Sequence, residues 1–377
     1  MEENLCYILF DGNFPQLSFA EFQYLLLGID PEINFENIHL SNETLILKIN
    51  EDYLKIVKIF QKYIRLVSLT KEIGLFYFLI KYNSTDSFDD ILHKIMQQIE
   101  SSYLNFKIDQ NSTFKVEIIK RGVLNGDQFN SKNRQKLILS IADIFVDKFN
   151  LKADLKNEML TIALILTPQN IILGQKLFRT NRKIIMNRTP SNRSYFHSGS
   201  MNPLLIRAMI NIGLKNIYLP IERETRKFFF LDPFMGAGGM LMEAGTMGYS
   251  TIGIELGYWM SRGARMNLTD LLYSGYNSSF WSIIRCDSNK IPLKSNSIDV
   301  IVTDPPYGHS TILGGQNLED LICKVLIECN RVLKKKSRMV ISIPSHIAIE
   351  FDGFKVLEQI SDKVHSSLTR IIYLLEK

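Results

Sequence analysis

Apolar residues recur along this chain in short runs parted by polar turns, and the period within each run predicts its element. Residues 5–10 and 44–48 are apolar runs of strand length. Residues 19–27 carry apolar positions at helical spacing behind Ser18, a residue type that caps helices. Residues 82–90 are polar and read as a boundary. A helix is expected near 91–100, a strand at 113–120 and a long helix at 134–149. Two strands follow at 159–166 and 170–176, parted by a turn at Thr167-Pro168-Gln169. Residues 186–193 are polar and basic and read as a linker. A helix at 203–211, capped by Asn202, opens a last region of buried-type strands, and runs at 354–360 and 368–375 read as a strand pair closing its sheet. No internal repeat or low-complexity segment interrupts the pattern.

The most informative of these runs is Ile301-Val302-Thr303-Asp304-Pro305-Pro306-Tyr307-Gly308. A β-branched strand ends in an acid, two prolines and an aromatic, at the carboxyl edge where open α/β sheets hold ligands. Two prolines fix φ and give up their donors, so the turn offers only acceptors. A carboxylate and a rigid carbonyl there suit an exocyclic amine on a planar ring, whose lone pair they can hold toward an electrophile. Tyr307 supplies a flat face for such a ring.

A partner motif lies upstream. The strand Phe228-Phe229-Phe230-Leu231 runs through Asp232-Pro233-Phe234-Met235 into a turn with Gly236, Gly238 and Gly239, and a helix opens at Met240. Glycines let backbone approach a ligand, and a helix N-terminus favours an anion. The next strand, 250–254, ends in Glu255, 23 residues after Asp232, placed to accept from a ribose diol. A third, 282–286, ends in Asp287, placed to accept from an adenine amine. Four strands ending in acids describe an S-adenosylmethionine site beside a nucleobase site.

Composition permits this reading. The chain has 377 residues, room for two or three domains, with 46% hydrophobic and 22% charged residues. The start Met1-Glu2-Glu3-Asn4 lacks the basic opening of a secretory signal, and no apolar run has membrane-spanning length. Cysteines 6, 286, 323 and 329 form no paired spacing, and six histidines show no ligand pattern, so neither disulfides nor a protein-bound metal is expected. The cytoplasm is the default compartment. The net charge of +5 is uneven: residues 111–200 hold fifteen Lys/Arg against six Asp/Glu, which leaves the rest of the chain at about −4. The excess, including Lys120, Arg121, Lys176, Arg179, Arg182 and Lys183, suggests a surface for a phosphate backbone.

With these residues in view, the chain resembles, over nearly its full length, the archaeal-type tRNA guanosine N2-methyltransferases acting at position 10. These join a THUMP RNA-binding domain to a Rossmann-like methyltransferase. Asp232 to Gly238 is similar to the family's D-P-F-C-G-T-G loop, with Met235 and Ala237 replacing cysteine and threonine. Asp304 to Gly308 matches D-P-P-Y-G, and His309-Ser310-Thr311 stands where the family has R-S-T. Phe196 to Met201 resembles the F-F-H-P-G-S-M run that borders the methyl donor, which brings in His197 and Ser200. Residues 151–157 resemble the THUMP K-V-D-L-K-N-P stretch, and 174–182 its strand and basic tail.

The resemblance implies a fold and a function. The expected fold is a class I Rossmann-like α/β domain with a mostly parallel seven-stranded sheet, preceded by an α+β ferredoxin-like and THUMP region. The expected divisions are 1–82 N-terminal, 83–183 THUMP, 184–194 linker and 195–377 methyltransferase. S-adenosylmethionine is expected over Gly236 and Gly238, bordered by Phe234, His197 and Ser200, with Asp232, Glu255 and Asp287 on its polar groups. Asp304, Pro305, Pro306 and Tyr307 are expected to hold the flipped target guanosine. A monomer acting on tRNA without a membrane is expected. Mono- or dimethylation and the need for a small activating subunit stay open. Another tRNA guanosine (position 6), a DNA amine, and non-catalytic tRNA binding are the alternatives.

Overall fold

In the computed structural model, the described residues are 4–102, 112–124, 127–214, 228–273, 280–307, 317–366 and 368–377. They form two compact units.

The first unit comprises Met1–Asn13, Ile33–Ile64 and Thr70–Arg179. Its sheet contains β1 (Asn4–Phe10), β2 (Phe35–Leu40), β3 (Thr44–Ile49), β4 (Thr70–Lys81), β5 (Thr113–Lys120), β6 (Lys152–Ala153), β7 (Leu160–Leu166) and β8 (Asn170–Arg179). Their order is β2-β3-β1-β4-β8-β7-β5-β6. The central strand β7 is buried along its whole length because both faces are covered. Ile162, Leu164 and Leu166 pack into a core with residues of α3 (Phe88–Ser102) and α4 (Ser131–Phe149), while Ala163 and Ile165 join Tyr7 and Leu9 on the other face. Strands from both sides of position 82 share this one sheet, since β4 pairs with β8. The expected border at 82/83 therefore falls within a continuous ladder.

The second unit comprises Phe14–Glu32, Arg65–Leu69 and Thr180–Lys377. Its sheet has the order β11-β10-β9-β12-β13-β15-β14. The strands are β9 (Phe229–Asp232), β10 (Ser250–Ile254), β11 (Trp281–Ile284), β12 (Ile298–Thr303), β13 (Leu333–Pro344), β14 (Lys355–His365) and β15 (Leu368–Glu376). The first five are parallel; β15 runs antiparallel between β13 and β14. This is the mostly parallel seven-stranded sheet expected from the sequence.

Two short segments from the N-terminal third belong to this second unit. Helix α1 (Pro15–Ile29) begins at Pro15 rather than behind Ser18, because proline is pre-set for the first helical turn, and Ser18 is buried inside the helix. Its Glu21 accepts hydrogen bonds from Ser68 N at 2.9 Å, Ser68 Oγ at 2.7 Å, Leu69 N at 2.7 Å and Asn211 Nδ2 at 2.7 Å. Asn211 lies on helix α6 (Pro203–Gly213), whose Asn202 cap accepts from Leu204 N at 2.9 Å. Tyr24 of α1 donates to Glu358 on β14 at 3.1 Å.

The stretch expected as a linker is structured as well. It holds the short helix α5 (Lys183–Met186) and Arg188, which is buried and reaches both carboxylate oxygens of Glu243 at 2.7 Å. A buried guanidinium needs such a fork-to-fork partner, so these residues are part of the core rather than a spacer.

Candidate active site

The sheet order runs β11-β10-β9 on one side of a switch and β12-β13 on the other, although β9 to β12 are consecutive in the chain. The crevice at the carboxyl ends of β9 and β12 is where such folds bind ligands. Asp232, Glu255, Asp287 and Asp304 follow four adjacent strands and reach one cavity of about 480 Å³. His197, Ser200, Phe234, Gly236, Pro305, Pro306 and Tyr307 line it too.

Gly238 is the one expected cavity residue that does not line it. Its φ of 83° starts helix α7 (Gly239–Thr246), and a Cβ there would lie 3.2 Å from the Cβ of Ala264. Gly236, at φ 51°, has open space where a Cβ would project. Met235 is buried and occupies the room that the glycine at 253 leaves, since a Cβ at Gly253 would collide with its sulfur. The departure from cysteine at 235 is thus absorbed inside the core.

Asp232 is fully enclosed. Its Oδ1 accepts from Thr303 Oγ1 at 2.7 Å and from Phe234 N at 3.0 Å. Burial pushes its pKa up to about 7 despite those two donors, with the Asp304 carboxylate adding to the rise. Glu255 Oε1 accepts from Gly257 N at 2.7 Å, and burial raises its pKa also. Asp287 is held by Asn289 N at 2.9 Å. The Ser288 hydroxyl donates to the Pro233 carbonyl and ties the turn after β11 to the turn after β9. Asn267, on helix α8 (Tyr258–Tyr273), donates to the carbonyls of Ala237 at 2.9 Å and Tyr195 at 3.1 Å, bracing the glycine turn.

Asp304 sits in a second polar cluster. The Tyr307 hydroxyl donates to Asp304 Oδ1, and Ser342 Oγ on β13 lies 2.7 Å from the same phenol oxygen. Arg370 Nη1 on β15 is 3.9 Å from Asp304 Oδ2, while Arg370 Nε donates to Asp362 Oδ2 on β14 at 2.7 Å. Burial raises the Asp304 pKa; Arg370, Tyr307 and Ser342 oppose the rise, and Asp362 adds to it. Burial and the neighbouring carboxylate raise that of Tyr307. Tyr307, expected from the sequence as a stacking face, therefore also holds the carboxylate through its hydroxyl.

Sequence reasoning missed Thr303, Ser342, Asp362 and Arg370. Only Arg370 left a visible signal, as a lone charge inside the apolar strand Leu368–Glu376. His309, Ser310 and Thr311 lie outside the described residues.

The expected backbone-binding cations are placed unequally. Lys120 is exposed, and Arg179 keeps 69% of its side-chain surface at 3.8 Å from Glu117. Lys176 is turned inward against Glu117 and Glu72, with 14% exposure, so its charge is already matched. Arg121 lies 3.9 Å from Glu43 with 12% exposure. Both are corrections to the expected surface, caused by carboxylates on β-strand and turn neighbours. Arg182 is half-buried and Lys183 exposed, in the second unit.

A family model described as "RMKL-like, methyltransferase domain" matches residues 190–370. A tRNA (guanine(10)-N2)-dimethyltransferase of Methanothermobacter thermautotrophicus is 30% identical over 302 residues, 79% of this chain and 81% of the relative. The chain belongs to the tRNA (guanine(10)-N2)-methyltransferase family. A relative of the same description from Pyrococcus abyssi is 29% identical over 93% of this chain and 98% of its own length. Among solved structures, TrmN from Thermus thermophilus shares the fold, with a TM-score of 0.54 at 18% identity over 99% of each chain.

Family membership and the crevice together make this chain an S-adenosylmethionine-dependent methyltransferase. The cavity fits that donor chemically. It offers carboxylates for ammonium, ribose and amine groups, apolar walls at Phe234, Leu256 and Met260, and the open space above Gly236. Among the described residues no helix is long and apolar enough to cross a membrane.

Proposed function

We propose that this enzyme methylates the exocyclic N2 of the guanosine at position 10 of tRNA, using the cavity between β9 and β12. The observation that carries this reading is Asp304: an acceptor-only carboxylate beside two prolines, facing the cavity that holds the donor-side acids. S-adenosylmethionine supplies an electrophilic methyl group when bound.

The chain's own residues do the rest. Asp232 would hold the methionine ammonium, Glu255 the ribose hydroxyls and Asp287 the adenine amine. Phe234, His197 and Ser200 would border the donor, and Gly236 leaves space for it. Asp304 and the Pro305 carbonyl would accept the N–H bonds of the guanine amine and turn its lone pair toward the methyl group. Proton loss needs no strong base, because the amine becomes acidic only as the new bond forms. Positioning and electrostatics supply the catalysis.

Residues 83–183 are proposed as a THUMP-type RNA-binding region whose exposed Lys120 and Arg179 meet the tRNA backbone rather than its bases. Arg182 and Lys183 extend the same kind of surface chemistry into the second unit. The enzyme is proposed to act as a monomer in the cytoplasm.

The test is transfer of labelled methyl from S-adenosylmethionine to unmodified tRNA transcripts by the full chain, without added subunits. Label as N2-methyl- or N2,N2-dimethylguanosine that disappears when guanosine 10 is replaced is the expected result, with duplex DNA inert. Label that persists after the replacement moves the target. Asp304→Ala should abolish turnover and leave S-adenosylhomocysteine affinity within about threefold, because the acid lies on the base side of the cavity.

A further inference from the structure

Asp304 faces two conflicting demands. As an acceptor for an amine it must be ionised and must keep lone pairs unoccupied. Yet it sits among buried groups, with the carboxylates of Asp362 and Asp232 as neighbours, and that environment favours the protonated form. A protonated Asp304 would present an O–H donor where the substrate also presents donors.

Arg370 resolves the conflict geometrically. It is 7% exposed, in the middle of β15, and its register is fixed on both sides: opposite Pro344 on β13 and opposite Asp362 on β14. The Nε–H bond to Asp362 at 2.7 Å locks the guanidinium plane. One terminal nitrogen is thereby left 3.9 Å from Asp304 Oδ2. That separation is too long for a hydrogen bond but short for a charge interaction. The cation therefore stabilises the ionised carboxylate without filling an acceptor site. Tyr307 fills Oδ1 instead, with Ser342 behind it. Five elements face the carboxyl group: its own turn through Tyr307, β15 through Arg370, β14 through Asp362, β13 through Ser342 and β9 through Asp232. Among the described groups facing it, Arg370 is the one cation.

We propose that the β14–β15 hairpin is an ionisation clamp for the catalytic turn. Arg370 keeps Asp304 charged and oriented for the guanine amine, and Asp362 holds Arg370 in place. The proposal rests on the amine-binding role of Asp304 given above. Arg370 is a positioning residue: it acts through Asp304 and does not touch the substrate.

The test is the pH profile of single-turnover methyl transfer to unmodified tRNA transcript at saturating S-adenosylmethionine, for the wild-type chain, Arg370→Met, Arg370→Lys and Asp304→Asn. Removing a cation about 4 Å from a carboxylate should raise its pKa by about 1–3 units, so the acid limb of Arg370→Met should move up by that amount. Its rate should fall more than about tenfold near pH 6 and recover to within about threefold near pH 9. Arg370→Lys, which keeps the charge, should move the limb less than half as far. Affinity for S-adenosylhomocysteine should stay within about threefold in both variants, which shows that the donor cavity is intact.

A loss of equal size at every pH, or a profile that superimposes on wild type, overturns the clamp. If Arg370→Met does not fold, Arg370→Lys decides: a limb moved as far as the whole expected range, or a uniform loss, counts against it. Asp304→Asn with the wild-type rate would overturn the amine-binding role and the clamp together. An inactive Asp304→Asn beside an unshifted Arg370→Met overturns the clamp alone.

Discussion

Thr303 donates its hydroxyl proton to Asp232 across 2.7 Å, joining the last residue of β12 to the last residue of β9. The strand that delivers the catalytic turn is thus bonded to the acid on the donor side. Because burial pushes Asp232 up to about pKa 7, this contact has a pH signature.

The sign follows from the raised value. A carboxylate whose folded pKa lies above its unfolded value of about 4 stabilises the ligand-free fold below that value, and the contribution is lost as pH rises through about 7. Binding a ligand ammonium requires the ionised form, so S-adenosylhomocysteine affinity should rise over the same window. Titration calorimetry between about pH 5.5 and 8.5 should show affinity gaining toward tenfold per unit below 7 and levelling above it. Asp232→Asn should bind weakly with a flat profile. Thr303→Val, which removes a donor to the charged form, should displace the rise upward.

The two positive-φ glycines of the donor turn should separate stability from binding. Gly238→Ala meets the Cβ of Ala264 at 3.2 Å in a left-handed backbone, and should cost about 1–2 kcal/mol in a urea melt with a smaller change in affinity. Gly236→Ala meets nothing within 4 Å but projects into open space beside the cavity. Its left-handed backbone should cost about 1 kcal/mol, while S-adenosylhomocysteine affinity falls by more than about tenfold. Equal effects of the two substitutions on affinity would contradict the assignment.

Lys176 and Lys120 should behave as different kinds of residue despite similar expectations from the sequence. Lys176→Met leaves Glu72 and Glu117 facing each other without their shared cation, and should destabilise the chain by about 3 kcal/mol. The salt dependence of tRNA binding should be unchanged. Lys120→Ala should leave the melt unchanged within about 0.5 kcal/mol and reduce the slope of log affinity against log salt by about one. Filter binding between about 50 and 200 mM salt resolves the two.

Glu21 is the acceptor that binds three separate stretches of the second unit. Glu21→Ala leaves the Ser68 and Leu69 amides and the Asn211 side chain without their buried partner. A loss of about 3 kcal/mol or more is expected by chemical denaturation, at one to three per orphaned group. Glu21→Gln should recover part of it, since its carbonyl still accepts. A change below about 0.5 kcal/mol would show that the segments are held by apolar contact alone.

The strand-end acids were legible because everything that marks them is local. An apolar run stops at Asp232, at Glu255, at Asp287 and at Asp304, and period and composition reveal each stop without knowledge of the fold. The C-terminal strand pair was equally legible as apolar runs. The meeting of Arg370 with Asp304 was not, since it depends on how β15 is inserted between β13 and β14, and one residue of register slip would turn Arg370 to the other face. The inward turn of Lys176 was hidden for the same reason: Glu72 and Glu117 reach it from other strands. Helix α1 was legible as a helix, but its first residue was misplaced by favouring a serine cap over Pro15. Its partner could not be read, because helical spacing says which side is apolar and not what covers it.

Helix α6 makes one consequence of the chain's two early excursions concrete. Every residue from Pro203 to Gly213 is buried, and part of that cover is α1, nearly two hundred residues earlier. The methyltransferase sheet is therefore no cassette that could be lifted out at its apparent starting point near residue 195 and joined to another RNA-binding partner. A transplant that keeps only the C-terminal half would carry a naked apolar helix and an Asn211 with its acceptor left behind. Recombination between relatives of this enzyme would have to move residues 14–32 and 65–69 along with the catalytic half, so its two functions are expected to have been inherited as one piece.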